Sequence, residues 1–225
     1  MKKLLVNKYE KTALASLKRV VFNGRIEVIY TVTQAERAVD FLLSQPLLGF
    51  DTETRPAFSK GQHYKCSLLQ VSTPNICFLF RLNSIGMCPA IVRLLSDRQV
   101  TKVGLAWNND LLGLHQLGDF EAGSFVDLQG LVKEIGIEDQ SLVKIYANLF
   151  GERISKAERL SNWERDILQE KQMMYAAIDA WACIQLYEEL VRLKTSGEYE
   201  LVDEQTELEI EEDFKLYEEL AAQKR

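Results

Sequence analysis

The chain has 225 residues, 47% hydrophobic and 27% charged, with a formal net charge of −6, which is ample for one domain with a real core. No apolar run approaches the roughly 20 residues that cross a bilayer, and residues 1–8 are basic without an apolar stretch of signal length, so neither a membrane span nor secretion is expected. The acid is unevenly spread: residues 198–225 hold 11 of the 33 acidic and 3 of the 27 basic side chains, which leaves 22 acidic against 24 basic in the remainder. A mildly basic body keeps a polyanionic partner possible despite the overall charge.

In chain order, residues 19–31 place Asn23-Gly24 between apolar segments, which predicts a β-hairpin. Thr33 then opens a helical pattern, with Ala35, Ala38, Phe41 and Leu42 on one face and Glu36 available to its first turn. Pro46 ends that helix. Residues 47–53 (LLGFDTE) follow as a strand buried on both faces. Residues 66–72 and 76–82 flank the turn Thr73-Pro74-Asn75 as a second hairpin. Pro89 starts a helix, residues 101–106 form a buried strand, and residues 110–117 are helical. A short strand at 124–126 precedes helices over 128–135 and 142–150. From about 169 to 193, Met173, Ala177, Ala180, Ile184 and Tyr187 make a long helical stripe. The alternation of strands and helices predicts an α/β layer structure. Residues 1–19 read as an N-terminal extension, 20–197 as the domain, and 198–225 as an acidic, partly helical, mobile tail.

Four acids stand where apolar elements end or turn. Asp51 and Glu53 are two apart on a strand and project to one side, where two like charges need a cation or a metal to neutralise them. Oxygen-only ligands suit hard divalent ions. The same D-x-E also fits a helix N-cap or a solvated strand end. Asp110 follows the 101–106 strand and the loop Trp107-Asn108-Asn109, at a helix start. Asp179 is embedded among Ala176, Ala177, Ile178, Ala180, Trp181 and Ala182, so its charge carries a desolvation cost unless paired. Tyr175 lies one turn earlier on the same face, where a phenol and a carboxylate can hold a water between them. The four cysteines (Cys66, Cys77, Cys88, Cys183) lie in apolar surroundings without a C-x-x-C pair, and read as reduced thiols of a cytoplasmic protein rather than zinc ligands. His63 and His115 read as surface or structural residues.

The blocks LLGFDTET, KVGLAWNNDLLGL and YAAIDAWA resemble the three exonuclease motifs of the DEDD superfamily, tyrosine subclass, as in RNase D and Werner-type exonuclease domains. Ser161-Asn162-Trp163, then Gln172 and Tyr175, are similar to the stretch before that family's third motif, and the likeness covers roughly residues 20–193. The resemblance implies an RNase H-like fold: a five-stranded mixed sheet with helices on both sides. It also implies a 3′–5′ exonuclease acting on DNA or RNA and releasing nucleoside 5′-monophosphates. Asp51, Glu53, Asp110 and Asp179 would bind two Mg2+ or Mn2+ ions about 4 Å apart, and Tyr175 would orient the attacking water. The sister subclass carries His where this chain has Met174. Thr52, Gln70, Lys144, Lys156, Arg159 and Trp163 are candidate nucleic-acid contacts, with packing or plain surface exposure as the competing reading of each. The lead-in Trp107-Asn108-Asn109 departs from the commonest form of the second motif. No nucleic-acid-binding module or helicase is joined to the domain in this sequence, so substrate positioning is expected to fall to the domain or a partner. A non-hydrolytic scaffold of the same fold would be expected to lack one of the carboxylates, and an endonuclease would not be expected to carry the Y-x3-D helix.

Overall fold

The computed structural model describes residues 2–202, and all structural statements below refer to them. The elements in order are β1 (Lys3–Val6), a 3-10 turn (Ala13–Ser16), β2 (Lys18–Arg19), β3 (Arg25–Ile29), α1 (Val32–Leu42), β4 (Leu47–Thr54), β5 (Cys66–Ser72) and β6 (Ile76–Arg81). Then come α2 (Leu82–Ile85), α3 (Pro89–Ser96), β7 (Thr101–Gly104), α4 (Trp107–His115), β8 (Phe125–Asp127), α5 (Leu128–Glu134), α6 (Leu142–Phe150), β9 (Glu152–Arg153), α7 (Glu170–Ser196) and β10 (Tyr199–Val202).

The central sheet is mixed, in the order β3-β6-β5-β4-β7-β8, with β5 antiparallel to both neighbours and the other pairs parallel. It has six strands, one more than expected, because the three residues of β8 add an edge to β7. Strand residues alternate between two cores. Leu48, Phe50, Leu69, Val71, Phe78 and Phe80 pack against α1, α3 and α4, while Leu68, Cys77, Leu79 and Val103 pack against α5, α6 and α7. Helices thus cover both faces, and the fold is RNase H-like α/β. None of the helices is long and apolar enough to cross a membrane.

Three expectations need correction. The hairpin over 19–31 does not form: β2 pairs in parallel with β9, and β3 pairs in parallel with β6. Gly24 serves a close approach instead of a turn, since a Cβ there would lie 2.5 Å from the Asn75 carbonyl oxygen. The first helix is capped earlier than Thr33 suggests. Thr31 accepts from the Gln34 amide at 3.2 Å while the Gln34 side chain accepts from the Thr31 amide at 3.1 Å, and Glu36 instead pairs with Arg93 of α3 at 3.2 Å. The two ends are also not separate appendages. β1 and β10 pair in parallel, Leu5 and Val202 are buried, and the Asn148 side chain on α6 bonds both the amide and the carbonyl of Val6. Residues 198–202 therefore belong to the body, and residues 203–225 of the expected tail lie outside the described residues.

Candidate active site

Gly49 explains how the site is assembled. Along β4, Leu48, Phe50 and Thr52 face α4, whereas Gly49, Asp51 and Glu53 face α7. A Cβ on Gly49 would lie 1.9 Å from the Ala180 carbonyl oxygen, so only glycine lets α7 cross this close to the strand. Ala176, Ala177 and Ala180 on α7 are small and buried, which suits that approach. The crossing sets Asp179, the neighbour of Ala180, against Asp51 and Glu53. Carboxylate oxygens of these three residues lie within 4.8 Å of one another.

Asp110 reaches the cluster from the other face of the sheet. Its Oδ1 accepts a hydrogen bond from the Thr52 hydroxyl, and the Thr52 amide donates to Asp51 Oδ1 at 2.9 Å. Thr52 is thus the link between two carboxylates, with its hydroxyl hydrogen already engaged. Trp107-Asn108-Asn109 is the first turn of α4 and not a loop. The helix start is held by a residue that the sequence patterns did not single out: the Asp127 carboxylate accepts from the amides of Ala106 at 3.0 Å and Trp107 at 3.1 Å, and from Gln129 at 2.9 Å. The turn it caps is strained, with Ala106 at φ +61°. An acid ending a short strand before a helix was the available signal.

Crowding like charges in a half-covered site raises their proton affinity. Burial, then repulsion from Asp51, Asp179 and Asp110, pushes Glu53 up to about 10. Burial and the charges of Asp179 and Asp110 hold Asp51 well above the usual carboxylate range. Burial lifts Asp179 to about 7, against the opposing pull of the Tyr175 hydroxyl and the Lys156 ammonium. Asp110 is raised by burial and drawn back by the Thr52 hydroxyl. Burial and the neighbouring carboxylates push the Tyr175 phenol far up, so it remains protonated. An all-oxygen donor set held in mutual repulsion fits a hard divalent cation such as Mg2+ or Mn2+.

Of the remaining candidates, Lys156 and Arg159 are exposed and line a cleft of about 210 Å³ with Asp51, Tyr175 and Asp179. Lys144 is paired with Asp139 at 2.9 Å and lies outside that cleft. Gln70 and Trp163 are both 0% exposed and cannot touch a substrate in this structure. Gln70 faces α7 opposite Asp51 across the β4–β5 ladder. Trp163 packs beside the Tyr175 ring, centroids 6.0 Å apart. Its loop is tied to the first turn of α7 by Gln172, whose amide donates to Ser161 Oγ at 3.1 Å and the Asn162 carbonyl at 3.3 Å. Trp163 thereby packs against the Tyr175 ring from a loop anchored on the same helix. All four cysteines are buried and unpaired, and both histidines are exposed and away from the cluster.

A mixed RNase H-like sheet with carboxylates converging from one strand and two helices defines the class of DEDD-type exonucleases. A family model described as 3′–5′ exonuclease matches residues 26–193, and the chain belongs to that family. It is 35% identical over 150 residues to Exonuclease 3′-5′ domain-containing protein 2 of Drosophila melanogaster, covering 65% of this chain and 25% of that protein. To the Bifunctional 3′-5′ exonuclease/ATP-dependent helicase WRN of Mus musculus it is 29% identical over 153 residues, covering 65% of this chain but 11% of that protein. The chain therefore spans a quarter or less of these two relatives. The crystal structure of the Aedes aegypti Nibbler EXO domain superposes with a TM-score of 0.71 at 19% identity, over 80% of this chain and 95% of that one.

Proposed function

We propose that the chain is a metal-dependent 3′–5′ exonuclease of the tyrosine subclass, removing nucleoside 5′-monophosphates from a polynucleotide 3′ end. The observation that carries this reading is the convergence of Asp51, Glu53 and Asp179 within 4.8 Å, with Asp51 and Asp179 lining a cleft shared with Tyr175. Asp51, Glu53 and Asp179 would hold one divalent ion, with Asp110 at hand for a second. Such ions, when bound, supply charge neutralisation at the phosphate and acidify a bound water.

The chain's own groups do the rest. Hydrolysis joins a water oxygen to the phosphorus of the terminal nucleotide and releases the 3′ oxygen of the nucleotide before it, which takes up a proton. Tyr175 is protonated in the metal-free site, and in this reading it acts as a hydroxyl that orients the water and not as its base. Asp179, one turn on, fixes the direction of that hydroxyl. Lys156 and Arg159 stand at the mouth of the cleft, where cations meet the phosphodiester. Because these acids bind protons tightly in the metal-free site, loading a metal would release protons and would strengthen as the pH rises.

The test is a time course on 5′-labelled DNA and RNA oligonucleotides with Mg2+ or Mn2+. Shortening from the 3′ end with release of 5′-monophosphates, absent in Asp179→Asn, is the expected result. Internal fragments, or intact oligonucleotides under all four conditions, would refute the reading.

A further inference from the structure

The catalytic cleft does not stop at Lys156. It continues into a groove of about 430 Å³ that shares with it Ser141, Val143 and the 154–156 segment. The groove adds Lys11, Lys144 and Arg153 to Lys156, and no acidic residue lines it. That is the reverse of the carboxylate end of the same channel. Asp139, which pairs with Lys144, has a side chain only 8% exposed and also accepts from the Tyr9 amide. Lys11 is exposed, with no acidic partner among the described residues.

Its outer wall is the N-terminal 3-10 turn, which precedes the 26–193 segment matched by the family. This wall is firmly attached. Leu14 packs against the α7-side core, the Arg153 Nε donates to the Leu17 carbonyl at 3.1 Å, and the Val20 amide donates to the Arg153 carbonyl at 3.0 Å. A groove of this volume is on the scale of a small ligand and not of a duplex. The lining has no aromatic ring, so it offers charge to a phosphate backbone but no platform for stacked bases.

We propose that the groove formed by Lys11, Lys144, Arg153 and Lys156 is a subsite for the sugar–phosphate backbone of a single strand, on the 5′ side of the bond being cut. It rests on the reading that the cleft works on polynucleotides. The subsite feeds the 3′ end towards Asp51 and Asp179 without reading sequence. The N-terminal segment thereby becomes part of the substrate-binding surface.

Binding of a 5′-fluorescein single-stranded decamer, followed by anisotropy in EDTA at several salt concentrations, tests the groove without turnover. Lys11→Glu should weaken decamer binding about 5-fold or more at low salt, and lower the salt slope by about 0.7 for each phosphate no longer neutralised. Lys11→Glu/Lys144→Gln should weaken it further, and the affinity gained between a labelled dinucleotide and the decamer should shrink in both variants. Circular dichroism confirms that the variants are folded. Unchanged affinity and slope in Lys11→Glu, or no decamer binding by the parent at low salt, would overturn the proposal. An equal loss for dinucleotide and decamer would overturn it too, by assigning the groove to the terminal nucleotide. A parent that binds the decamer with the expected slope but never shortens it with metal leaves the groove standing and removes the exonuclease reading.

Discussion

Asp179 and Glu189 lie on the same helix, and their surroundings drive them in opposite directions. Asp179 is buried against Asp51 and Glu53, and its proton affinity rises to about 7. Glu189 sits where the start of β1 meets the last turns of α7. It accepts from Arg192 at 2.8 and 3.0 Å and from Lys3, and is drawn down to about 2. One carboxylate is held where its charge is unwelcome, the other where cations meet it. A charge under repulsion stores a capacity to bind a cation, and a charge already paired fastens the fold. The helix serves both ends because its small residues allow the close crossing at Gly49 while its last turns carry the ion pairs.

The comparison breaks most sharply at the repelling end. Asp179→Asn removes the charge but keeps the shape and a polar partner for Tyr175. Turnover is expected to fall by orders of magnitude, while the metal-free protein should melt at the same or a higher temperature. A nuclease assay and a thermal melt in EDTA check both. A lower melting temperature with full turnover would make Asp179 an ordinary structural acid.

Tyr175→Phe is the next largest effect. The ring keeps its place beside Trp163 and only the hydroxyl is removed, so stability should change little. The rate should fall roughly 10- to 1000-fold, the scale of deleting one hydrogen bond that stabilises the transition state. Metal binding measured by calorimetry should remain near the parent's, because the carboxylates are untouched.

The framework of the repelling end was legible in the sequence, and the fastening end was not. β4, the β5–β6 hairpin and α7 follow from local patterns: an apolar run, a Thr-Pro-Asn turn, and a stripe of small and apolar residues. The four carboxylates stood out because each ends or interrupts such a pattern. The β1–β10 pair joins opposite ends of the chain, and nothing local in Lys3–Val6 names its partner. Asn23-Gly24 carried a genuine turn signal that the close approach of Asn75 overrode. Gln70 and Trp163 looked like substrate-binding residues because polar and aromatic residues near a site often are, but burial depends on which face meets α7. Asp127 offered only the signal of an acid ending a short strand before a helix, which does not reveal that its carboxylate acts on α4 from a neighbouring strand.

The fastening end can be tested by length. Truncation after Gly197 removes β10, uncovers Leu5 and leaves the β1 ladder unpaired, whereas truncation after Val202 retains all three. The shorter protein should be less stable than the longer by about 2 kcal/mol, because apolar burial and backbone pairing both diminish. Denaturant melts of the two proteins measure the difference directly. Equal midpoints would show that the strand pair adds nothing to the fold.

The smallest effect is also the one that sets the two acids against each other by sign. Glu189 has its folded proton affinity lowered, to about 2 from an ordinary value of 4.5, so its contribution is present above about 4.5 and lost as the pH falls through about 2. The ion cluster lies at the surface, with the Lys3 and Arg192 side chains 29% and 48% exposed, and screening limits that contribution to about 1 kcal/mol or less. Glu189→Gln should therefore melt slightly below the parent at neutral pH and converge with it in acid. Asp179 has its folded proton affinity raised, to about 7 from 3.8, so without metal the native state binds more protons than the unfolded one between those values. Parent stability should accordingly decline as the pH rises from about 4 to about 7 in EDTA, and Asp179→Asn should decline less. Melts of the three proteins from about pH 2 to about pH 7 should show the Glu189→Gln deficit growing between about 2 and 4.5, and the Asp179→Asn advantage growing between about 4 and 7. If both variants diverge from the parent over the same window, the two carboxylates do not feel opposite surroundings.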